Sequence, residues 1–462
     1  FPYTTLFRSL RPTPMLSFAL RELGCTAGVV VTASHNPPQY NGYKVYWEDG
    51  AQITAPKDKQ IITEVQAITD FAQVKTMSEE DAKAAGLYEV IGEEIDDKYM
   101  EALKKLVLRP EAIKEQADKL KIVYTPLHGT GNIPVRRVLK ELGFNNVYVV
   151  KEQELPDGDF PTVSYPNPED KNAFTLALKL AAEVDADIVL ATDPDADRLG
   201  IYAKNEKTGE YESFTGNMSG MLILEYLLSQ RKELGMLPEN GAVVTTIVSG
   251  KMARVIAKEY NVALIETLTG FKYIGEQIKF FEQNHDYEFL FGYEESYGCL
   301  EGTHARDKDA VVAVMALCEA AAYYKSKGIT LCEQMEKLYQ KYGFYKESLF
   351  FQTFPGAEGK AKIDGLMDAL RNQPPKQVGP FKVTALEDYK KSVRTDIATG
   401  ETSALTLPES NVLYFELEDG AWFCVRPSGT EPKIKYYAGV KGTDAQDAAD
   451  KLEALSKAVV EL

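Results

Sequence analysis

The sequence predicts a multi-domain α/β protein, with three βαβ-type domains on mixed sheets followed by a C-terminal α+β domain. Three observations predict it. At 462 residues the chain exceeds what one hydrophobic core accommodates, so three or four domains of ordinary size are expected. Apolar, β-branched runs alternate with helix-length segments through most of the chain, the rhythm of parallel βαβ packing. After Pro374-Pro375 that rhythm gives way to short strands, tight turns and a closing helix.

Residues 1–9 read Phe-Pro-Tyr-Thr-Thr-Leu-Phe-Arg-Ser, which matches the translation of a widely used sequencing adapter. They are expected to be adapter-derived and loosely packed, with native sequence from near Leu10, although aromatic and β-branched residues also suit a strand. The first domain, 10–93, opens with a helix over 15–23 closed by Gly24. Residues 27–32, Ala-Gly-Val-Val-Val-Thr, are apolar and β-branched and predict a buried strand. The second domain, 94–208, carries strands at 121–124, 147–150 and 187–191 and a helix at 172–183. The third, 209–340, runs strand 243–247, helix 251–260, strand 262–265, helix 273–284, strand 288–291. The fourth, 341–462, has a polar helix at 356–373, strands at 411–418, 422–425 and 433–440, and a helix at 445–460. Ligands in such sheets bind at loops beyond the carboxyl ends of the strands.

Composition excludes several function classes. The chain is 44% hydrophobic and 26% charged, with no apolar run long enough to span a bilayer and no secretory pattern. With 69 acidic against 52 basic residues, the net charge of -17 disfavours nucleic acid as a partner. Cys25, Cys299, Cys318, Cys332 and Cys424 are scattered and odd in number, which suggests neither a zinc site nor a disulfide framework. A reducing cytoplasm is the expected compartment.

Four loops carry chemistry. Ser34, in the segment 32–44 that follows the strand, has the exposure and rigid base a nucleophile needs. His35 would point away from it in an extended segment and so makes a poor direct base. No G-x-S-x-G elbow surrounds the serine, and alone the segment reads equally as a strand-capping turn. In Asp193-Pro-Asp-Ala-Asp-Arg198, Asp193, Asp195 and Asp197 can converge on one hard cation, with Arg198 placed to pair with an anion. The alternative is a solvated acidic turn. An EF-hand is excluded, since Arg198 stands at its glycine position and Lys204 at its closing glutamate. Three oxygen ligands with room for water suit magnesium. In Gly292-Tyr-Glu-Glu-Ser-Tyr-Gly298, acidic and hydroxyl groups can read sugar hydroxyls, although glutamate-rich turns are common on surfaces. Arg426-Pro-Ser-Gly-Thr-Glu-Pro432, with one guanidinium, two hydroxyls and an open glycine backbone, can cradle a phosphate or simply close a hairpin.

Taken in order, T-A-S-H-N-P-P, D-P-D-A-D-R, G-Y-E-E-S-Y-G and R-P-S-G-T-E-P closely resemble the signature loops of the α-D-phosphohexomutase superfamily. T-P-L-H-G-T-G at 125–131 and T-G-F-K-Y-I-G at 269–275 are similar to stretches of its bacterial α-phosphoglucomutase and phosphopentomutase branch. The resemblance implies four domains around a central cleft and a phosphosugar mutase interconverting hexose 1- and 6-phosphates, glucose phosphates first. It implies phosphorylation of Ser34, one Mg2+ per chain on Asp193, Asp195, Asp197 and a Ser34 phosphate oxygen, and a sugar 1,6-bisphosphate as activator. It further implies Lys44 as a proton-transfer candidate and Arg198 as a catalytic cation. Substrate contacts would come from His35, Lys272, Glu294 and Ser296, with Arg426, Ser428, Gly429 and Thr430 holding the unreactive phosphate. Small sugar phosphates are the expected partners, to a monomer or homodimer without membrane or nucleic acid. The family's N-terminal Gly-rich arginine loop is not found in the sequence, so a shortened first domain and weak activity are expected. Rivals are phosphomannomutase or phosphopentomutase activity, a metal-dependent phosphatase, for which no water-activating group stands out, and a non-catalytic sugar-phosphate binder.

Overall fold

Strand Ile188–Thr192 is buried along its whole length and leads directly into the acidic loop. The computed structural model describes residues 4–354, 358–428 and 433–462. The chain forms two units, one of Phe1–Thr245, Tyr260–Ile265 and Gly270–Gln334, the other of Thr246–Glu259, Glu266–Thr269 and Met335–Leu462.

In the first unit, Ile188–Thr192 lies in a five-stranded sheet. It pairs in parallel with Ile122–Thr125, which pairs in parallel with Val147–Val149. On its other side Leu199–Lys204 and then Tyr211–Phe214 run antiparallel. An unbroken apolar strand suits this position because helices cover the sheet. Val123, Val189 and Ala191 pack with Phe174, Ala177 and Ala181 from the helical stretch that precedes Ile188–Thr192. A second sheet orders Ala263–Thr267, Gly241–Thr246, Glu288–Tyr293 and Cys299–Glu301, the last two antiparallel. Helix Ala310–Ser326 is apolar on nearly all sides and accordingly buried, and Gly216–Glu233 is buried over most of its length. The former begins at Asp309, whose carboxylate accepts from the backbone N–H groups of Val311 and Val312.

Residues 27–32 depart from the expectation of a buried strand. Ala27–Val31 pairs antiparallel with Tyr43–Trp47 in a two-stranded sheet, with Val29 37% and Val31 63% exposed. β-branched residues favour an extended backbone, but the number of neighbouring strands is a tertiary matter. Residues 4–7 also differ from the loosely packed segment expected: Thr4–Phe7 forms a strand in parallel register with Tyr88–Ile91.

The second unit is built on an eight-stranded sheet in which, among the described residues, neighbouring strands run antiparallel, Phe344–Thr353 with Lys433–Gly442 being the longest pair. Helices Gly359–Asn372 and Ala445–Val460 contribute Ile363, Met367, Leu370, Leu455 and Val459 to its core. Phe415 and Phe423 stack there at 4.3 Å between ring centroids.

Candidate active site

The serine loop joins the two strands of the hairpin. Its neck is closed by the Thr32 N–H donating to the Gly42 carbonyl at 3.0 Å. A Cβ at position 42 would lie 2.3 Å from the Thr32 carbonyl oxygen, so only glycine fits that neck. Ser34 takes a left-handed backbone, φ +52°, secured by its N–H donating to Thr32 Oγ1 at 2.8 Å. A non-glycine residue held there costs roughly 1–2 kcal/mol. The bend corrects the expectation for His35: in a left-handed turn consecutive side chains no longer alternate, and His35 Nδ1 lies 3.1 Å from Ser34 Oγ. The Ser34 hydroxyl donates to Asp193 Oδ2 at 3.0 Å, so His35 meets the oxygen as a donor through Nδ1. Burial and then the nearby Arg198 push the His35 pKa down to about 2, which leaves the ring neutral.

The acidic loop is the turn between antiparallel strands Ile188–Thr192 and Leu199–Lys204. Asp193 folds back on it, Oδ1 accepting from the N–H groups of Asp197 and Arg198 at 3.0 Å each. The three carboxylates are buried, and one ligand atom of each lies within 4.8 Å of the others. Burial and the charges of Asp195 and Asp197 hold the Asp193 pKa well above the ordinary carboxylate range. Burial would raise Asp197 too, but Lys308, Lys44 and Arg198 outweigh it and lower its pKa. Asp195 Oδ1 and Asp197 Oδ1 are buried with no hydrogen-bond partner. Orphaned acceptors on converging carboxylates are what a hard divalent cation satisfies, so the residues fit magnesium.

Cations ring this cluster. Lys44 Nζ reaches Asp195 Oδ2 at 2.9 Å and Asp197 Oδ2 at 3.4 Å, and Lys308 Nζ reaches Asp197 Oδ2 at 3.1 Å. Arg198 donates through Nη1 to Glu169 at 2.7 Å while its Nε lies 3.8 Å from Asp197. Strand Tyr43–Trp47 places Lys44 and Tyr46 two residues apart on one face. Tyr46 donates to Asp307 Oδ2 at 2.5 Å, and Asp307 in turn pairs with Lys308 at 3.1 Å. Glu294, on the hairpin turn after Glu288–Tyr293, accepts from the Gly270 N–H at 2.7 Å. Burial raises its pKa against the opposing charge of Lys308.

Of the residues singled out in the sequence, Ser34, His35, Lys44, Asp193, Asp195, Asp197 and Arg198 thus converge, with Glu294 beside Lys308. Lys272 instead lies on helix Phe271–Asn284 with its ammonium 5.1 Å from the centre of the Tyr273 ring. Ser296 is half-buried on the turn 294–298. In the second unit Arg426 sits on strand Trp422–Pro427 opposite Lys435, and the Ser428 N–H donates to the Lys433 carbonyl at 2.8 Å. Gly429 and Thr430 lie outside the described residues. Sequence reasoning missed Lys308, Asp307 and Glu169. The signal for the first two is the charged run 306–309 directly before a helix apolar on nearly all sides, since such a helix carries its first turn into the interior.

Comparison with known proteins shows the family. Phosphoglucomutase/phosphomannomutase domain models match in chain order: α/β/α domain I at 3–71, domain II at 97–208, domain III at 215–342 and the C-terminal domain at 373–455. The chain belongs to the phosphoglucomutase/phosphomannomutase family. It is 40% identical over 432 residues to a phosphoglucomutase of Staphylococcus epidermidis RP62A, covering 93% of this chain and 76% of that protein. A Staphylococcus aureus MRSA252 phosphoglucomutase is 37% identical over 445 residues, covering 96% and 78%. In fold it is similar to the open form of the Paramecium phosphoglucomutase parafusin, with a TM-score of 0.67, 18% identity, and 99% and 81% of the two chains covered. A Burkholderia thailandensis member of the phosphoglucomutase/phosphomannomutase family gives 0.64, 18%, 99% and 82%. Among the described residues no helix is long and apolar enough to cross a membrane.

Proposed function

We propose that this chain is a phosphosugar mutase that passes a phosphoryl group between Ser34 and the hydroxyls of a hexose phosphate, with glucose 1- and 6-phosphates as the pair. The observation that carries the reading is Ser34 Oγ, 3.0 Å from Asp193 in a buried carboxylate triad ringed by Lys44, Lys308 and Arg198. The glucose assignment is supported by relatives at 37–40% identity that bear the name phosphoglucomutase.

Asp193, Asp195 and Asp197 would hold Mg2+, which supplies charge neutralisation at a phosphoryl oxygen. The chain's own groups do the rest. His35 Nδ1 donates to Ser34 Oγ and orients it, and Lys44, Lys308 and Arg198 bring positive charge to where phosphoryl charge must be stabilised. Glu294 offers a carboxylate to a sugar hydroxyl, with Ser296 and Lys272 as further sugar contacts. Arg426, Ser428, Gly429 and Thr430 hold the second phosphate, where a planar guanidinium fork suits a tetrahedral anion. A sugar 1,6-bisphosphate, the intermediate of such an exchange, primes the serine. Domain limits near 93, 208 and 340 complete the reading.

The test is direct assay of glucose, mannose and ribose 1-phosphates on one preparation, with intact-mass measurement after exposure to glucose 1,6-bisphosphate. Turnover of glucose 1-phosphate above the other two, with one added phosphate on the protein, is expected. Absence of both would overturn the reading.

A further inference from the structure

Three consecutive peptide carbonyls of the acidic loop are each held from a different part of the first unit. The Pro194 carbonyl accepts from the Thr130 N–H at 2.7 Å, that of Asp195 from the Thr13 N–H at 2.9 Å, and that of Ala196 from the Ala310 N–H at 3.1 Å. The Thr130 hydroxyl adds a second bond to the same Pro194 oxygen, at 2.9 Å. One of the three segments does more than hold backbone: the Thr13 hydroxyl donates to Asp195 Oδ2 at 2.9 Å.

We infer that Thr13 is a positioning residue for the cation site, fixing which oxygen of Asp195 is left to coordinate. Oδ2 of Asp195 is taken by Thr13 Oγ1 and Lys44 Nζ, both at 2.9 Å, whereas Oδ1 is buried and has no partner. A carboxylate on one rotatable bond could present either oxygen. Two donors on one of them lock the group and leave the other for a cation. Thr13 is itself fully buried, at the start of helix Thr13–Glu22 with Pro14 behind it, so its hydroxyl has little freedom to leave. Its N–H and Oγ grip the Asp195 carbonyl and carboxylate together, setting main chain and side chain of one ligand from a single residue. Lys44 cannot substitute in this role, because its ammonium is shared with Asp197.

This inference rests on the cation reading of the triad, and its test uses Mn2+ alone as the probe. Binding is followed by the electron paramagnetic resonance of the free ion, in the full chain without sugar. Thr13→Val removes the hydroxyl and keeps the backbone N–H and the shape; Thr13→Ser keeps hydroxyl and N–H and removes a methyl. Loss of a donor to a ligating carboxylate commonly weakens metal affinity about 10- to 100-fold, and Thr13→Val should fall in that range. Thr13→Ser should stay within about twofold of the unaltered chain. Equal affinity of Thr13→Val and the unaltered chain overturns the inference. So does an equal loss in both variants, which would mark the methyl's packing as what matters. If the unaltered chain itself fails to bind Mn2+, the triad's cation role falls and the inference with it. Should Thr13→Val not fold, judged by its circular-dichroism melt, weakened binding by a folded Thr13→Ser overturns the inference and retained binding supports it.

Discussion

The Ser34 hydroxyl donates to Asp193 across 3.0 Å, joining a loop of one hairpin to the turn of another sheet. Neither residue reaches the other through local geometry, since 159 positions separate them in the chain. The left-handed backbone at Ser34 and the folded-back Asp193 together aim the two side chains at each other.

Ser34→Ala is expected to abolish phosphoryl incorporation from glucose 1,6-bisphosphate. Intact mass should show one added phosphate on the parent chain and none on the variant, with superimposable far-ultraviolet circular dichroism. Labelling of the variant at the parental level would remove Ser34 as the acceptor.

Asp195→Asn keeps the shape of the ligand and takes away its charge. Turnover should fall by roughly 10²-fold or more, with a much smaller change in apparent sugar-phosphate affinity. EDTA should suppress the parent's turnover and added Mg2+ should restore it. Activity indifferent to EDTA would sink the metal assignment.

Gly129→Ala should disturb the acidic loop from behind. A Cβ there would lie 2.3 Å from Pro194 Cα and 2.5 Å from its carbonyl oxygen, both backbone atoms that cannot swing aside. Overpacking of this kind costs about 1–3 kcal/mol, read as a lower denaturation midpoint together with weakened cation binding. Gly158→Ala, with nothing within 4 Å of its new methyl, serves as control and should change neither.

Glu301 gives the molecule a pH-dependent stability. Burial, opposed by Arg231 and reinforced by Glu319, raises its pKa from 4.5 to about 8. A carboxyl whose folded pKa is raised contributes stability that is full below about pH 4.5 and is lost as pH rises through 8. Thermal midpoints should therefore decline between those values, and Glu301→Gln should flatten that decline, gaining most relative to the parent at the alkaline end. Parallel pH profiles for the two proteins would show that Glu301 does not set the slope.

Much of this organisation was legible in the sequence because it depends on local physics. Apolar runs such as 187–191 and 288–291 predicted the strands Ile188–Thr192 and Glu288–Tyr293, and the polar turns after them predicted the chemistry-bearing loops. The alternation in Asp193-Pro-Asp-Ala-Asp implied convergence of three carboxylates, as found. The antiparallel strands Leu199–Lys204 and Tyr211–Phe214 were not read, because short strands that return through a tight turn lack the spacing that marks a βαβ crossover.

Tertiary structure alone decided the partners. Lys308 meets Asp197 and Thr13 meets Asp195 from segments more than 100 residues away, and no local pattern encodes either meeting. It also decided that His35 turns toward Ser34, since a φ of +52° at a serine is held by the surrounding hydrogen bonds and goes against that residue's own preference. Residue type and spacing determine which groups are available and which local conformations are cheap. Which of them share a buried volume, and so which charges must neutralise one another, is set by packing across the chain.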